Sequence, residues 1–142
     1  IPAAWDFAEE DGDPYDYDGH GTSVASMAAA NGLVNGTAPE AQILFYKVEN
    51  DAGNAFSSLM ILATEQAVLD GADVVSLSYK AGISRPKSPI SLAFNKLIDQ
   101  NIPFIAGVGN DGLNQKIADP ASSQFSIAVG VPAKILKNRK EL

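Results

Sequence analysis

Apolar residues follow two different patterns along this chain. In four places they form short continuous runs, which are typical of strands covered on both faces. These runs cover residues 42–48, 73–79, 102–107 and 125–131. In three other places apolar residues recur every three or four positions, which predicts helices. The helical stretches cover residues 21–30 and 55–70 and a segment from Ser88 to beyond Leu97.

Strands that alternate with helices predict βαβ units. The predicted fold is therefore α/β, with three α/β/α layers and a mainly parallel sheet. Residues 1–19 are rich in Asp, Gly and Pro without periodicity, so we predict a loop there and no strand ahead of Asp16. Sites in such sheets form beyond the carboxyl ends of the strands, which directs attention to residues 49–54, 79–82 and 107–112.

Turn residues mark the ends of the predicted helices. Asn31-Gly32 and Gly71 each follow an apolar stripe and predict its termination. Ser88-Pro89 combines a capping side chain with a proline at the first helical position.

Composition narrows the chemistry. The chain has 142 residues, of which 46% are hydrophobic and 19% charged, a balance typical of one globular domain. It contains no cysteine and a single histidine, which excludes thiol catalysis and a multi-histidine metal site. The net charge of −7 argues against a nucleic-acid or anionic-membrane partner.

The single histidine, His20, follows an acidic segment and stands at the first turn of the first predicted helix, whose run of small apolar residues predicts a buried helix. A helix N-terminus disfavours a second positive charge, so an imidazole there favours the neutral form that a general base requires. A capping or surface histidine is the alternative. The acids before it could hold calcium, although a solvated acidic loop is the favoured interpretation, and no cofactor is predicted.

Two other motifs compete for the function. Residues 107–112 match G-x-G-x-x-G after a strand, but no apolar helical stripe follows them, which disfavours dinucleotide binding. Residues 21–25 resemble a serine-nucleophile turn around Ser23. One helical turn from His20, that serine leaves no obvious groove for a substrate carbonyl, so a role on the helix surface or in packing is favoured.

Five motifs in one order are similar to those of the subtilisin-like serine proteases, or subtilases. Residues 16–26 read D-Y-D-G-H-G-T-S-V-A-S and match the histidine motif of the family, D-x-x-G-H-G-T-H-V-A-G. Residues 36–41 match a second family motif, G-x-A-P-x-A. Residues 73–79 echo the family motif D-V-I-x-x-S-L-G, and residues 107–112 echo A-A-G-N-x-G. The P-A-S segment at 120–122 and the run ending in Val129-Gly130 also match.

The resemblance implies a serine endopeptidase that acts through an acyl-enzyme, with His20 as general base and Asn110 as oxyanion donor. It also implies that a peptide or protein substrate pairs as an added strand with residues 51–54 and 78–80. The residues implied to contact the substrate are Gly53, Ser78, Tyr79, Lys80, Gly107 and Gly109. The alternative is a non-catalytic fragment or binding module with the same fold.

In that family the triad aspartate and serine belong to D-[ST/D]-G and G-T-S-M-A-x-P motifs, which we expect to lie outside this chain. The chain then corresponds to the central part of a catalytic domain at residues 1–131, incomplete at both ends. Residues 132–142 form a basic tail or connector, and the isolated chain is predicted to be inactive. Its partners would be its substrate and the remainder of its own catalytic domain.

The chain departs from the family pattern at three positions. Ser23 and Ser26 replace a second histidine and a glycine, and Lys80 stands where glycine is frequent. The matches at Asp6-Phe7 and Lys47-Val48 resemble the large secreted subtilases that contain a protease-associated domain. We therefore expect an extracellular protein, in which the N-G-T sequence at Asn35 would be a glycosylation site if a eukaryote secretes the chain.

Overall fold

The computed structural model describes residues 3–80, 87–110 and 117–129. The strands are β1 (Ala3–Asp6), β2 (Leu44–Lys47), β3 (Val75–Leu77), β4 (Phe104–Gly107) and β5 (Ile127–Val129). The helices are α1 (His20–Ala29), α2 (Ser57–Leu69) and α3 (Pro89–Asp99). Every pairing between these named strands is parallel, which confirms the predicted pattern. The chain divides after Asp70 into two compact units.

In the first unit, β1 and β2 form a two-stranded parallel sheet. Its last register pair is Asp6 and Lys47, whose side chains form a 2.7 Å ion pair. The Asp6 carboxylate is buried, and the N–H groups of Ala8 and Glu9 donate to its other oxygen. A backbone bond of 2.8 Å from Phe7 N–H to the Lys47 carbonyl continues the pairing beyond the strand.

The prediction of a loop over residues 1–19 is wrong for residues 3–6, and so is the prediction that no strand precedes Asp16. Ala3–Asp6 is a strand although Ala and Asp are weak strand formers. Its partner strand and the Asp6–Lys47 ion pair supply what the local sequence lacks. Asp6 is followed by Phe7-Ala8, so the strand does not carry the D-[ST/D]-G motif of a triad aspartate.

Helix α1 ends by a different device from the predicted Asn31-Gly32 cap. The N–H groups of Gly36, Thr37 and Ala38 donate to carbonyls of the last turn at 2.8, 2.9 and 2.8 Å. We call residues 36–38 the return segment. A Cβ on Gly36 would lie 2.6 Å from the Ala29 nitrogen, so only glycine allows this approach. The prediction that α1 is buried is wrong, because none of its residues is buried in the structure.

Helix α2 buries one face, as predicted, through Met60, Ala63 and Ala67. It ends before Gly71, whose φ of 80° is the left-handed conformation expected of a terminating glycine. Phe56, which falls within the predicted helical stretch 55–70, precedes the helix in an extended conformation and is 58% exposed.

The second unit contains a three-stranded parallel sheet in the order β3-β4-β5. Ser88 caps α3 by accepting a 3.2 Å bond from Ser91 N–H, with Pro89 at the first helical position as predicted. The apolar face of α3 contributes Phe94, whose ring centroid lies 4.1 Å from that of Phe104 on β4. Both rings are fully buried, and they form the centre of this unit's core.

Strands β3 and β5 are shorter and more exposed than predicted. Ser76 in β3 and both Ile127 and Val129 in β5 are exposed, so neither strand is buried on both faces. The predicted basic tail at residues 132–142, the boundary at residue 131 and Gly112 lie outside the described residues.

The Asp6–Lys47 pair should make a large contribution to stability. Replacing Asp6 by Asn leaves a largely buried ammonium with only Asp51, and removing one member of a buried pair costs about 3–5 kcal/mol. We expect the lower end of that range, because Asp51 remains. Asp51→Asn is the matched control, since the Asp51 side chain is 53% exposed and a surface pair contributes about 0–1 kcal/mol. Urea unfolding of both variants measures the difference, and equal losses would contradict the assignment.

The same pair gives a pH dependence. Burial works to raise the pKa of Asp6, but the hydrogen bond from Lys47 and those from the Glu9 and Ala8 N–H groups outweigh it and leave the pKa below its ordinary value. A lowered folded-state pKa stabilises the protein fully above about pH 4 and progressively less as the pH falls through the folded value. Unfolding at stepwise lower pH should therefore show a loss that Asp6→Asn lacks.

Candidate active site

His20 is the first residue of α1, as the sequence predicts, and its side chain is exposed. Gly19 before it has a φ of 86°, a left-handed conformation that turns the chain into the helix. Gly21 after it brings this turn close to β2, since a Cβ there would lie 3.3 Å from the Phe45 ring. Two glycines therefore place the histidine at a helix N-terminus next to strand β2.

Asp16 fastens the turn that carries His20; we call residues 16–22 the histidine loop. One Asp16 oxygen accepts a 2.9 Å bond from Gly19 N–H. The other accepts two bonds of 2.7 Å from Thr22, one from its N–H and one from its hydroxyl. The bonds from Thr22 hold the pKa of Asp16 below its ordinary value. Asp16 thus caps the start of α1, and its bonds to Gly19 and Thr22 hold the backbone on both sides of His20.

The other polar groups of the histidine loop bond within it. Asp18 accepts a 3.3 Å bond from the His20 N–H. Ser23 is exposed on the surface of α1 and donates its hydroxyl to the Gly19 carbonyl at 2.8 Å. Within the described ranges, no three His, Asp or Glu side chains converge in a way that could hold a metal ion.

Gly53 lies at the exposed tip of a hairpin-like turn that follows β2; we call residues 49–55 the edge loop. An antiparallel bridge between Glu49 and Ala55 closes it. Inside, the Asn50 side chain accepts bonds from the N–H groups of Ala52 and Asn54 at 3.2 and 2.9 Å. Gly53 has a φ of 78°, so the turn requires glycine at this position.

Lys47 anchors the edge loop to the sheet. Its ammonium lies 2.8 Å from Asp51 as well as 2.7 Å from Asp6, and 5.6 Å from the centroid of the Tyr17 ring in the histidine loop. Glu9 accepts a further bond of 3.4 Å from the Asp51 N–H. Burial alone would lower the pKa of Lys47, but its bonds to Asp51 and Asp6 raise it above its ordinary value.

In the second unit, the predicted site residues gather where β3 and β4 end. Ser78, Tyr79 and Lys80 directly follow β3, with Ser78 and Lys80 exposed and Tyr79 half-buried. Gly107 ends β4, and a Cβ on it would lie 3.9 Å from the Ser78 Cα. Parallel neighbouring strands bring the two segments to the same sheet edge, as the sequence predicts.

Asn110 follows β4 by three residues and is exposed. Val108 is held on both sides, because its N–H donates to Val129 at 2.8 Å and its carbonyl accepts from Ala118 at 3.3 Å. Gly109 then adopts a φ of 98°, a conformation that favours glycine. The asparagine thus extends from a fixed strand end, and residues 117–129 form no helix.

Asn35, the predicted glycosylation site, lies in the first unit between helix α1 and the return segment. It forms an isolated bridge with Asn31, and both Asn35 and Thr37 are exposed. In the described part of the chain, no helix is long and apolar enough to cross a membrane.

Comparison with known proteins now identifies the family. A model described as the subtilase family matches residues 2–134. The chain belongs to the subtilase family. Among curated relatives, it is 33% identical over 136 residues to the minor extracellular protease Vpr of Bacillus subtilis (strain 168), covering 89% of this chain and 17% of that protein. It is 32% identical over 122 residues to the subtilisin-like protease SBT2.1 of Arabidopsis thaliana, covering 74% of this chain and 15% of that protein.

Solved structures give the same result for the fold. Sphericase matches with a TM-score of 0.74 at 29% identity, over 89% of this chain and 46% of that one. A cold-adapted subtilisin-like serine proteinase matches with a TM-score of 0.77 at 23% identity, over 89% and 45% of the two chains. These neighbours confirm a subtilisin-like α/β fold. This subtilase chain spans under a fifth of the length of the curated relatives named above.

Sequence reasoning missed the supports of the site. Asp16 belongs to the histidine motif, yet its bonds to Thr22 depend on the turn that the loop makes. Lys47 was visible as a cation in an apolar strand, and a buried cation needs a carboxylate partner. That signal could have directed a search toward the acids of residues 6–18.

The Asp16 cap should matter for both the helix and the histidine. Asp16→Asn keeps the size of the side chain but weakens its bonds to Thr22, and loss of a cap costs about 0.5–2 kcal/mol. We expect a stability loss of about 1 kcal/mol in urea unfolding and no comparable loss for Asp13→Asn. Asp13 is the matched control because it is exposed in the same acidic segment. Identical behaviour of the two variants would show that Asp16 does not order the loop.

Proposed function

We propose that the full-length protein containing this chain is a serine endopeptidase that cleaves peptide bonds through an acyl-enzyme. Membership of the subtilase family and the protease names of its relatives support this proposal. The observation that carries it is the position of the two motif residues. His20 opens α1 in a loop fastened by Asp16, and Asn110 follows the end of β4.

In this proposal His20 accepts the proton of the nucleophilic serine as that oxygen bonds to the scissile carbonyl carbon. The proton then passes to the leaving amine as the peptide bond breaks, and water hydrolyses the acyl-enzyme in the second half of the cycle. Asn110 donates its side-chain N–H to the oxyanion that forms on the carbonyl. A fixed donor of this kind contributes about 100- to 1000-fold to kcat, a magnitude that is itself measured on a subtilisin.

The substrate would bind as an added strand. Gly53 and its neighbours in the edge loop, and Ser78, Tyr79 and Lys80 beyond β3, would supply the backbone edges. Gly107 and Gly109 would line the space for the residue before the cut. Backbone pairing accepts many sequences, because the hydrogen bonds do not depend on side chains. The triad aspartate and serine would come from other segments of the full-length protein.

We also assign the protein to the extracellular space. The relative named a minor extracellular protease supports secretion, and the exposed N-G-T sequence at Asn35 is accessible for glycosylation if the host glycosylates secreted proteins.

A fluorophosphonate probe tests the catalytic proposal. The full-length protein should be labelled on a serine, whereas the 142-residue chain alone should not be labelled. His20→Ala should abolish labelling and lower kcat by several orders of magnitude. Asn110→Ala should lower kcat by about 100-fold or more with little change in KM.

Gln100→Ala serves as the control for Asn110, because Gln100 is an exposed amide at the end of α3. If the full-length protein is not labelled and cleaves no peptide, the chain belongs to a non-catalytic, substrate-binding subtilase. Labelling of Ser23 in the isolated chain would show that the motif assignment is wrong.

Glycosylation is tested by expressing the full-length protein in a eukaryotic secretory host. N-glycosidase treatment should shift the mass of the tryptic peptide that contains Asn35, and Asn35→Gln should abolish the shift. Asn31→Gln is the control, because Asn31 is exposed in the same loop but lacks the acceptor sequence. Occupancy of zero in the unsubstituted protein would reject the assignment.

A further inference from the structure

Glu49 is a half-buried carboxylate in the edge loop. Its backbone bridges to Ala55, and one carboxylate oxygen lies 3.7 Å from the position of a Cβ on Gly53. The carboxylate therefore extends along the loop toward its tip. Across residues 3–80, 87–110 and 117–129, no ion pair or side-chain hydrogen bond to this carboxylate is present. The carboxylate thus has no counter-charge within the described residues and can accept a cationic partner.

Lys47, the cation closest to Glu49 in the sequence, does not neutralise the Glu49 carboxylate. The Lys47 ammonium is already bonded to Asp6 and Asp51 at 2.7 and 2.8 Å. Glu9 adds another carboxylate by accepting a bond from the Asp51 N–H. Together with Glu49, four carboxylates and one ammonium meet around the edge loop and its anchor, so the local potential is negative and attracts cations.

The loop is also built to hold Glu49 in place. Asn50 binds the N–H groups of Ala52 and Asn54, Gly53 N–H donates to the Asn50 carbonyl at 2.9 Å, and Lys47 fixes Asp51. A peptide that pairs with the loop would extend its alternate side chains beyond the shared backbone edge, where flanking groups select among them. Glu49, at the base of that edge, is such a flanking group.

We propose that Glu49 selects a basic side chain of the substrate. This inference rests on the proposed function, because it requires a peptide to bind along the edge loop. A lysine ammonium or arginine guanidinium would lie against the Glu49 carboxylate and replace the counter-charge that the chain itself does not provide. The proposal thereby narrows the substrate class to peptides with a basic residue on the acyl side of the cut.

The test uses the full-length protein and fluorogenic peptides that differ at one position on the acyl side. At each position, kcat/KM is compared between arginine and the neutral isostere norleucine. We expect a preference of about five-fold for arginine at one position, as for a partly exposed ion pair. Glu49→Gln should reduce that ratio to near one, and Glu49→Lys should lower it below one. Because the attraction is electrostatic, the ratio should also fall as salt is raised.

Glu65→Gln is the matched control, since Glu65 is exposed on α2 and the charge change is the same. Its arginine preference should equal that of the unsubstituted protein. If peptides are cleaved but arginine is not preferred at any position, or Glu49→Gln leaves the ratio unchanged, the inference fails while the protease stands. If no peptide is cleaved, both proposals fail.

Discussion

The ammonium group of Lys47 joins three segments that are far apart in the chain. It bonds to Asp6 at the end of β1 and to Asp51 in the edge loop, and it faces the Tyr17 ring of the histidine loop. Because Asp6 and Lys47 are also register partners, the pair fixes how β1 lies on β2. A slip of one residue would remove the carboxylate from the ammonium and turn every β1 side chain to the opposite face. The strand, the candidate base and the candidate substrate edge therefore depend on the same charge.

Most elements follow from local sequence, and the exceptions depend on distant partners. The apolar runs of β2 to β5 and the Ser88-Pro89 start of α3 are visible in the sequence. Strand β1 is not, because Ala-Ala-Trp-Asp has little strand propensity and pairs with residues 41 positions away. The exposure of α1 was also missed, since small apolar residues are compatible with a buried helix but do not provide the surface that would bury it.

The candidate site divides in the same way. A lone histidine before a run of small residues and an asparagine after a strand are local patterns, so His20 and Asn110 could be placed on their elements from sequence. The contacts that hold these two residues in place could not be predicted from the sequence. Asp16 reaches Thr22 only because Gly19 reverses the chain, and the Val108 backbone is fixed by residues of β5 and of the segment before it. Motifs identify the reacting groups, while tertiary hydrogen bonds decide how firmly each is held.

The return segment against α1 also bears on how the chain folds. Thr37 bonds to Met27 across 10 residues, whereas the Lys47–Asp6 pair closes a loop of 41. The entropic cost of closing a loop rises with the logarithm of its length, so closing the shorter loop costs about 1 kcal/mol less free energy. The helix that carries His20 can thus acquire its C-terminal support from neighbours in sequence before β1 finds β2. Contacts of low sequence separation form fastest, which makes the helix and its return segment a natural nucleus for this unit.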